Sequence, residues 1–224
     1  GSNGDVQINS ISQSIYGQEI DFVYAGKSYN FKTPILGSFQ ATNLLIAALM
    51  IESVSKIDFN LILSAIENLQ AAKGRLERVS DGDCHVFVDY AHTPDALEKS
   101  ITELAGLAEG RLFTLFGCGG DRDKTKRPIM GEIASRLSDV VIITDDNPRT
   151  EDAAEIRRDV ASGAINEVQI AGREEAIKYA IEAMQKGDIL LIAGKGHEDY
   201  QIIGKTKYPF DDALVARKYL AGKK

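Results

Sequence analysis

No segment of the 224-residue sequence is apolar over the length a membrane span requires, and none pairs a basic flank with a following hydrophobic run. Neither a span nor a signal peptide is therefore expected, and the cytoplasm is the expected compartment. A basic cluster is also lacking. The 26 Lys and Arg stand against 33 Asp and Glu, a formal net charge of -7, so neither nucleic acid nor an anionic membrane is an expected partner. Cysteine is scarce: Cys84 and Cys118 fit no CxxC or metal-ligand spacing, so both are read as free thiols and no metal ligands are assigned. Two nucleotide motifs each fail at one residue. Gly204-Lys205-Thr206 imitates the end of a P-loop, but the earlier glycine would have to be residue 199, which is Asp199. Gly117 and Gly119 open a dinucleotide fingerprint whose third glycine falls on Arg122, a side chain that blocks the close packing this glycine serves. That disfavours a dinucleotide-binding oxidoreductase.

What is present begins with short alternating strands. From Asp5 to Thr33 apolar residues such as Val6, Ile8, Ile20, Phe22 and Tyr24 alternate with polar ones and are broken at Gly17 and Gly26, a pattern that predicts a small antiparallel meander. Ser38 is placed to cap a helix over about residues 39–53, and Asp58 a second over 59–70. The small and basic run AAKGR at 71–75 then changes the rhythm. A domain boundary is expected near Gly74, with 1–74 the end of one domain and 75–224 another. Beyond it strands are predicted at 85–89, 111–116, 140–144, 168–170 and 189–193, with amphipathic helices between them; in the helix over 173–185, Ala176, Ile177, Ala180, Ile181 and Met184 recur at helical spacing. This alternation predicts an α/β fold with a mainly parallel, doubly wound sheet. A hairpin over 200–208 and a last helix after Asp211 or Asp212 complete the chain.

The stretch DVVIITDDNPRT, 139–150, organises the rest. Its β-branched run suits a central strand covered on both faces. The chain then turns through Asp145, Asp146, Asn147, Pro148 and Arg149, with Thr150 placed to cap a helix from Glu151. Parallel α/β sheets bind ligands at the carboxyl ends of their strands, so this loop reads as the specificity site. A turn and a cap explain Asp, Asn, Pro and Thr here, but not Arg149. Three more loops should converge on the same sheet end. DYAHTPD (89–95) contains His92, with Thr93 as cap and Pro94 as first helical residue. FGCGGDRDK (116–124) has glycines that would let backbone N–H groups approach an anion, with Lys124 adding charge, before a helix from Pro128. AGKGHED (193–199) is the fourth.

Taken together, GRLE at 74–77, DYAHTPDALE at 89–98, GCGGDRDKTKRP at 117–128, DDNPRTED at 145–152 and GKGHEDYQ at 194–201 resemble the Mur ligase family, in the family's order. The stretch GSFQATNLLIAA, 37–48, resembles a central-domain helix of that family. The resemblance implies a Rossmann-like carboxy-terminal domain preceded by the end of a central ATPase domain. It implies ATP and Mg2+ as cofactors, and formation of an amide through an acyl phosphate. In the branch these motifs resemble, meso-diaminopimelate is added to UDP-N-acetylmuramoyl-L-alanyl-D-glutamate. Carried over by motif, Arg122, Asp146, Asn147, Pro148, Arg149, Gly194 and Glu198 would form the amino-acid pocket, and Asn43, Arg75, Asp89, His92 and Lys124 would lie near ATP. His92 and Lys124 are the catalytic candidates. The family's uridine-nucleotide-binding domain, P-loop and carbamylated lysine are not found, so the missing domains are expected partners and the chain is expected to be inactive alone. A non-catalytic amino-acid-binding module is the alternative.

Overall fold

Alternating apolar residues fold the start of the chain into β1 (Val6–Ser14), β2 (Gly17–Tyr24) and β3 (Lys27–Thr33), an antiparallel sheet in that order. The structure, a computed structural model, describes residues 6–80 and 82–223 and divides into two units, one ending at Ala71 and one beginning at Ala72. In the first unit Ile20, Phe22 and Phe31 pack with residues of α1 (Ser38–Val54) and α2 (Phe59–Ile66), among them Leu45, Phe59 and Leu63. Asp58 caps α2 as expected, accepting from the Asn60 N–H at 2.9 Å. Ser38 does not cap α1: the helix starts on it, and the turn is made at Gly37, whose φ of 100° suits glycine. The second helix stops short of residue 70 because its buried face, Phe59, Ile62, Leu63 and Ile66, ends there while Leu69 is exposed.

The second unit holds β4 (Glu77–Arg78), β5 (His85–Asp89), β6 (Leu112–Phe116), β7 (Val140–Ile143), β8 (Val168–Gln169) and β9 (Ile189–Ala193) in one six-stranded sheet of order β4-β5-β9-β6-β7-β8. All pairs are parallel except β4 with β5. On one face lie α3 (Pro94–Ala105), α4 (Lys126–Leu137) and α5 (Ala153–Ala161); α6 (Arg173–Ala183) and α7 (Asp212–Gly222) cover the other. A hairpin of β10 (Tyr200–Ile203) and β11 (Thr206–Pro209) precedes α7. The mainly parallel doubly wound sheet predicted from the sequence is thus observed.

Three local expectations are corrected. The strand β7 is penultimate, not central; β9 and β6 hold the middle. Helices on both faces bury a penultimate strand as fully as a central one, so the apolar run reported burial and not position. Thr150 does not cap α5. Asp152 does, accepting from the Ala154 N–H at 2.8 Å, while the Thr150 hydroxyl donates to Asp121 at 2.8 Å. Finally, α4 begins at Lys126, with Pro128 inside its first turn, where a missing N–H costs nothing. Thr93 caps α3 and Pro94 is its first residue, as expected, and of the two starts left open for the last helix the structure takes the one after Asp211, which caps it. No described helix is long and apolar enough to cross a membrane.

Candidate functional site

Four loops leave the carboxyl ends of β5, β6, β7 and β9 and enclose a cavity of about 490 Å³. Its wall includes His92, Arg122, Asp146, Asn147, Arg149, Gly194 and Glu198. The topology brings these together because parallel strands present all their carboxyl ends on one side.

The loop after β6 interlocks with the loop after β7. A Cβ on Gly117 would lie 2.3 Å from the Thr144 carbonyl oxygen, and one on Gly120 would lie 1.9 Å from that of Pro148. The Gly120 N–H is spent on the Asn147 carbonyl at 2.9 Å. These two glycines therefore allow two backbones to touch, and the Gly120 N–H is not left for an anion. Arg149 belongs to the same interlock. Its backbone N–H donates to Ile202 (3.1 Å) and its carbonyl accepts from Gly204 (2.7 Å), which ties it to the hairpin, and its Nη1 donates to the Gly120 carbonyl at 2.7 Å. The guanidinium is thereby held at the cavity wall.

Polar groups behind the wall form a connected set. Asn147 accepts at Oδ1 from the Ile202 N–H (2.8 Å) and from Lys195 Nζ (3.2 Å), and donates from Nδ2 to Glu198 Oε2 at 2.9 Å. Lys195 is fully buried and pairs with the same Glu198 oxygen at 3.1 Å. A buried ammonium requires such a partner. Asp146 accepts from the Asn147 N–H at 2.6 Å, and its carbonyl takes the Gln201 amide at 2.6 Å. The second Asp146 oxygen lies against Gly194, where a Cβ would come within 3.0 Å of it. Pro148 is buried beneath the wall.

The residues expected near a nucleotide are distributed differently. Asp89 is buried and used internally: it accepts from the N–H groups of Leu76 (2.7 Å) and Ala91 (2.9 Å) and from the Ser100 hydroxyl (3.0 Å). The Arg75 guanidinium lies 5.0 Å from the centre of the Tyr90 ring, which also contacts His92 at 4.6 Å and His197 at 5.0 Å. Lys124 does not line the cavity. It pairs with Glu151 at 2.9 Å, and Lys126 takes the place at the wall, its Nζ donating to the His92 carbonyl at 2.6 Å. Hydrogen bonds from Arg127 first, then Lys124, hold the Glu151 carboxyl down at about 2. Asn43 lies in the first unit, on an exposed part of α1, where it donates to Gln40 at 3.0 Å. Burial pushes the Cys118 thiol up to about 12. Among the described residues no group of three His, Cys, Asp or Glu is placed to hold a metal ion.

Sequence reasoning missed Lys195, Lys126, Arg127 and Tyr90. A lysine between two glycines reads as an exposed turn residue, and only the fold shows that this one is buried. Lys126 stands two places from the lysine that was chosen, and no spacing rule separates the two.

Residues 74–196 match the family model described as Mur ligase, glutamate ligase domain. Over 99% of its length the chain is 54% identical to the UDP-N-acetylmuramoyl-L-alanyl-D-glutamate--2,6-diaminopimelate ligase of Rickettsia felis, of which it covers 42%. A solved structure of a ligase of that same name gives a TM-score of 0.74 at 36% identity, covering 100% of this chain and 46% of that one. The MurF ligase of Thermotoga maritima, solved in complex with ADP, has a TM-score of 0.69 at 15% identity, a likeness of fold, over 100% of this chain and 48% of that one. The chain spans a little under half the length of these relatives. With the family model covering more than half of the chain, including the four strands whose ends carry the cavity, the chain belongs to the Mur ligase family.

Proposed function

We propose that this chain is the amino-acid-binding part of an ATP-dependent amide ligase of peptidoglycan precursor synthesis. The reaction assigned to it joins meso-diaminopimelate to UDP-N-acetylmuramoyl-L-alanyl-D-glutamate through an acyl phosphate. Close identity to ligases so named supports the reaction class. The observation that carries the substrate is the cavity itself, where the Arg149 guanidinium shares a wall with the carboxylates of Asp146 and Glu198. Diaminopimelate bears both an ammonium and a carboxylate at its far end, and lysine bears only the ammonium. A guanidinium pairs with a carboxylate through parallel charge-assisted hydrogen bonds, and a carboxylate takes the ammonium. With lysine bound, Arg149 would face no anion.

Bound ATP would supply the phosphoryl group that activates the D-glutamate side-chain carboxylate, with ADP as the leaving group; attack of the neutral amine on that carbonyl carbon would then form the amide with loss of phosphate and a proton. The chain's own residues orient the amine and exclude water from the activated carbonyl. Arg75, Tyr90 and His92 offer a cation, an aromatic ring and an imidazole side by side, a set whose chemistry fits a nucleotide. Lys126, or Lys124 once released from Glu151, supplies an ammonium for phosphate oxygens. Asp89, with its carboxylate oxygens engaged internally, orders the start of its loop and stands apart from the nucleotide contacts. Among the described residues no three His, Cys, Asp or Glu are grouped to hold a metal ion, and the Mg2+ ligands are assigned mostly to the part of the family's central domain that this chain lacks. A cytoplasmic location, and association with uridine-nucleotide-binding and P-loop domains, follow from the same reading.

Arg149→Ala in the full-length ligase is expected to raise the KM for meso-diaminopimelate about a hundredfold, from a charged hydrogen bond worth about 3 kcal/mol. A rise below about threefold would overturn the far-carboxylate role. Equal turnover of lysine and diaminopimelate by the unaltered ligase would do the same.

A further inference from the structure

Three charged side chains of the cavity wall, Asp146, Arg149 and Glu198, come from two loops whose strands do not pair with each other. One follows β7 and carries Asp146 to Arg149; the other follows β9 and carries Gly194 to Glu198, and β6 lies between. The ladders fix each strand against β6, but beyond the strand ends the spacing of the loops depends on other groups. Arg173, the first residue of α6, stands between them. It is fully buried, and its guanidinium donates to the carbonyl of Ala193 at 2.8 Å and to that of Asp145 at 3.4 Å. These are the residues immediately before Gly194 and Asp146. The same guanidinium makes a two-point pair, at 2.7 and 2.8 Å, with the equally buried carboxylate of Asp212 in the first turn of α7.

Local energetics do not favour this arrangement. A cation at a helix N-terminus opposes the helix dipole, and a buried ion pair gives up solvation that an apolar pair would not lose. What the arginine adds is geometry, since a planar fork can hold two carbonyls and a carboxylate at once. We propose that Arg173, anchored by Asp212, is a positioning residue for the amino-acid pocket, setting the separation of the two loops through the Ala193 and Asp145 carbonyls. The proposal rests on reading the cavity as the amino-acid site.

Two variants separate positioning from mere support. Arg173→Lys keeps the charge and loses the fork. Arg173→Met combined with Asp212→Leu replaces the pair by apolar side chains, an exchange often neutral for stability. In the full-length ligase each is expected to raise the KM for meso-diaminopimelate about tenfold, with the KM for ATP and the thermal midpoint near those of the unaltered protein. In the 224-residue chain, amide hydrogen exchange should quicken at 146–150 and 194–198 and stay unchanged in α3. An unaltered diaminopimelate KM in a folded double variant overturns the proposal, and so does an equal rise in both KM values. If the double variant does not fold, Arg173→Lys decides: unchanged exchange in both loops overturns the proposal. A ligase that never turns over meso-diaminopimelate refutes the functional reading instead, and the exchange pattern then judges Arg173 independently.

Discussion

Glu151 binds Arg127 through both carboxylate oxygens and also takes Lys124 and the Asp121 N–H. Because its carboxyl is held at about 2, below the ordinary value of 4.5, ionised Glu151 stabilises the fold above the unfolded value. That contribution fades as pH falls through the folded value. Urea unfolding of the native chain and of Glu151→Gln should therefore differ at neutral pH and converge between about pH 4.5 and about 2; a difference constant across that range would contradict the assignment. Cys118 gives a second test at this scale. With its thiol buried and pushed up to about 12, it should resist alkylation at pH 8 in the native chain and react on unfolding, followed by mass spectrometry. Rapid native labelling would show that the loop after β6 opens. Single residues were legible in the sequence where they exceeded what a turn needs. Arg149 stood out for that reason and does line the cavity. Lys195 and Arg173 were illegible because their importance lies in burial, which depends on strands far away in sequence.

At the scale of elements, the strands and helices of the second unit followed from periodicity, and their starts were less secure. Thr150 and Ser38 have capping chemistry, but the Thr150 hydroxyl is engaged by Asp121, and the helices begin after Asp152 and Gly37 instead. The glycines after β6 were legible as exceptional, but the backbone contact that Gly117 and Gly120 make was not. They let one loop lie on another, so Gly120→Ala should cost about 3 kcal/mol by forcing the backbones apart. It should also weaken diaminopimelate binding, since the Gly120 carbonyl holds the Arg149 guanidinium. Denaturation midpoints together with a KM measurement test this; an unaffected midpoint would mean that the loops separate freely.

For the whole molecule, each unit has its own apolar core, that of the second built from both faces of strands such as β5, β6 and β9. Residues 72–224 are accordingly expected to melt in one cooperative transition when produced without the first 71; a gradual, non-cooperative loss of circular dichroism would show that the core is insufficient. Strand order has a further consequence, for synthesis on the ribosome. The strand β9 pairs with both β5 and β6, yet it is made roughly a hundred residues after β5. Until it emerges, the nascent sheet consists of two unjoined parts with apolar edges. The central ladder, and with it the register of the pocket loops, closes only once Ile189–Ala193 has emerged.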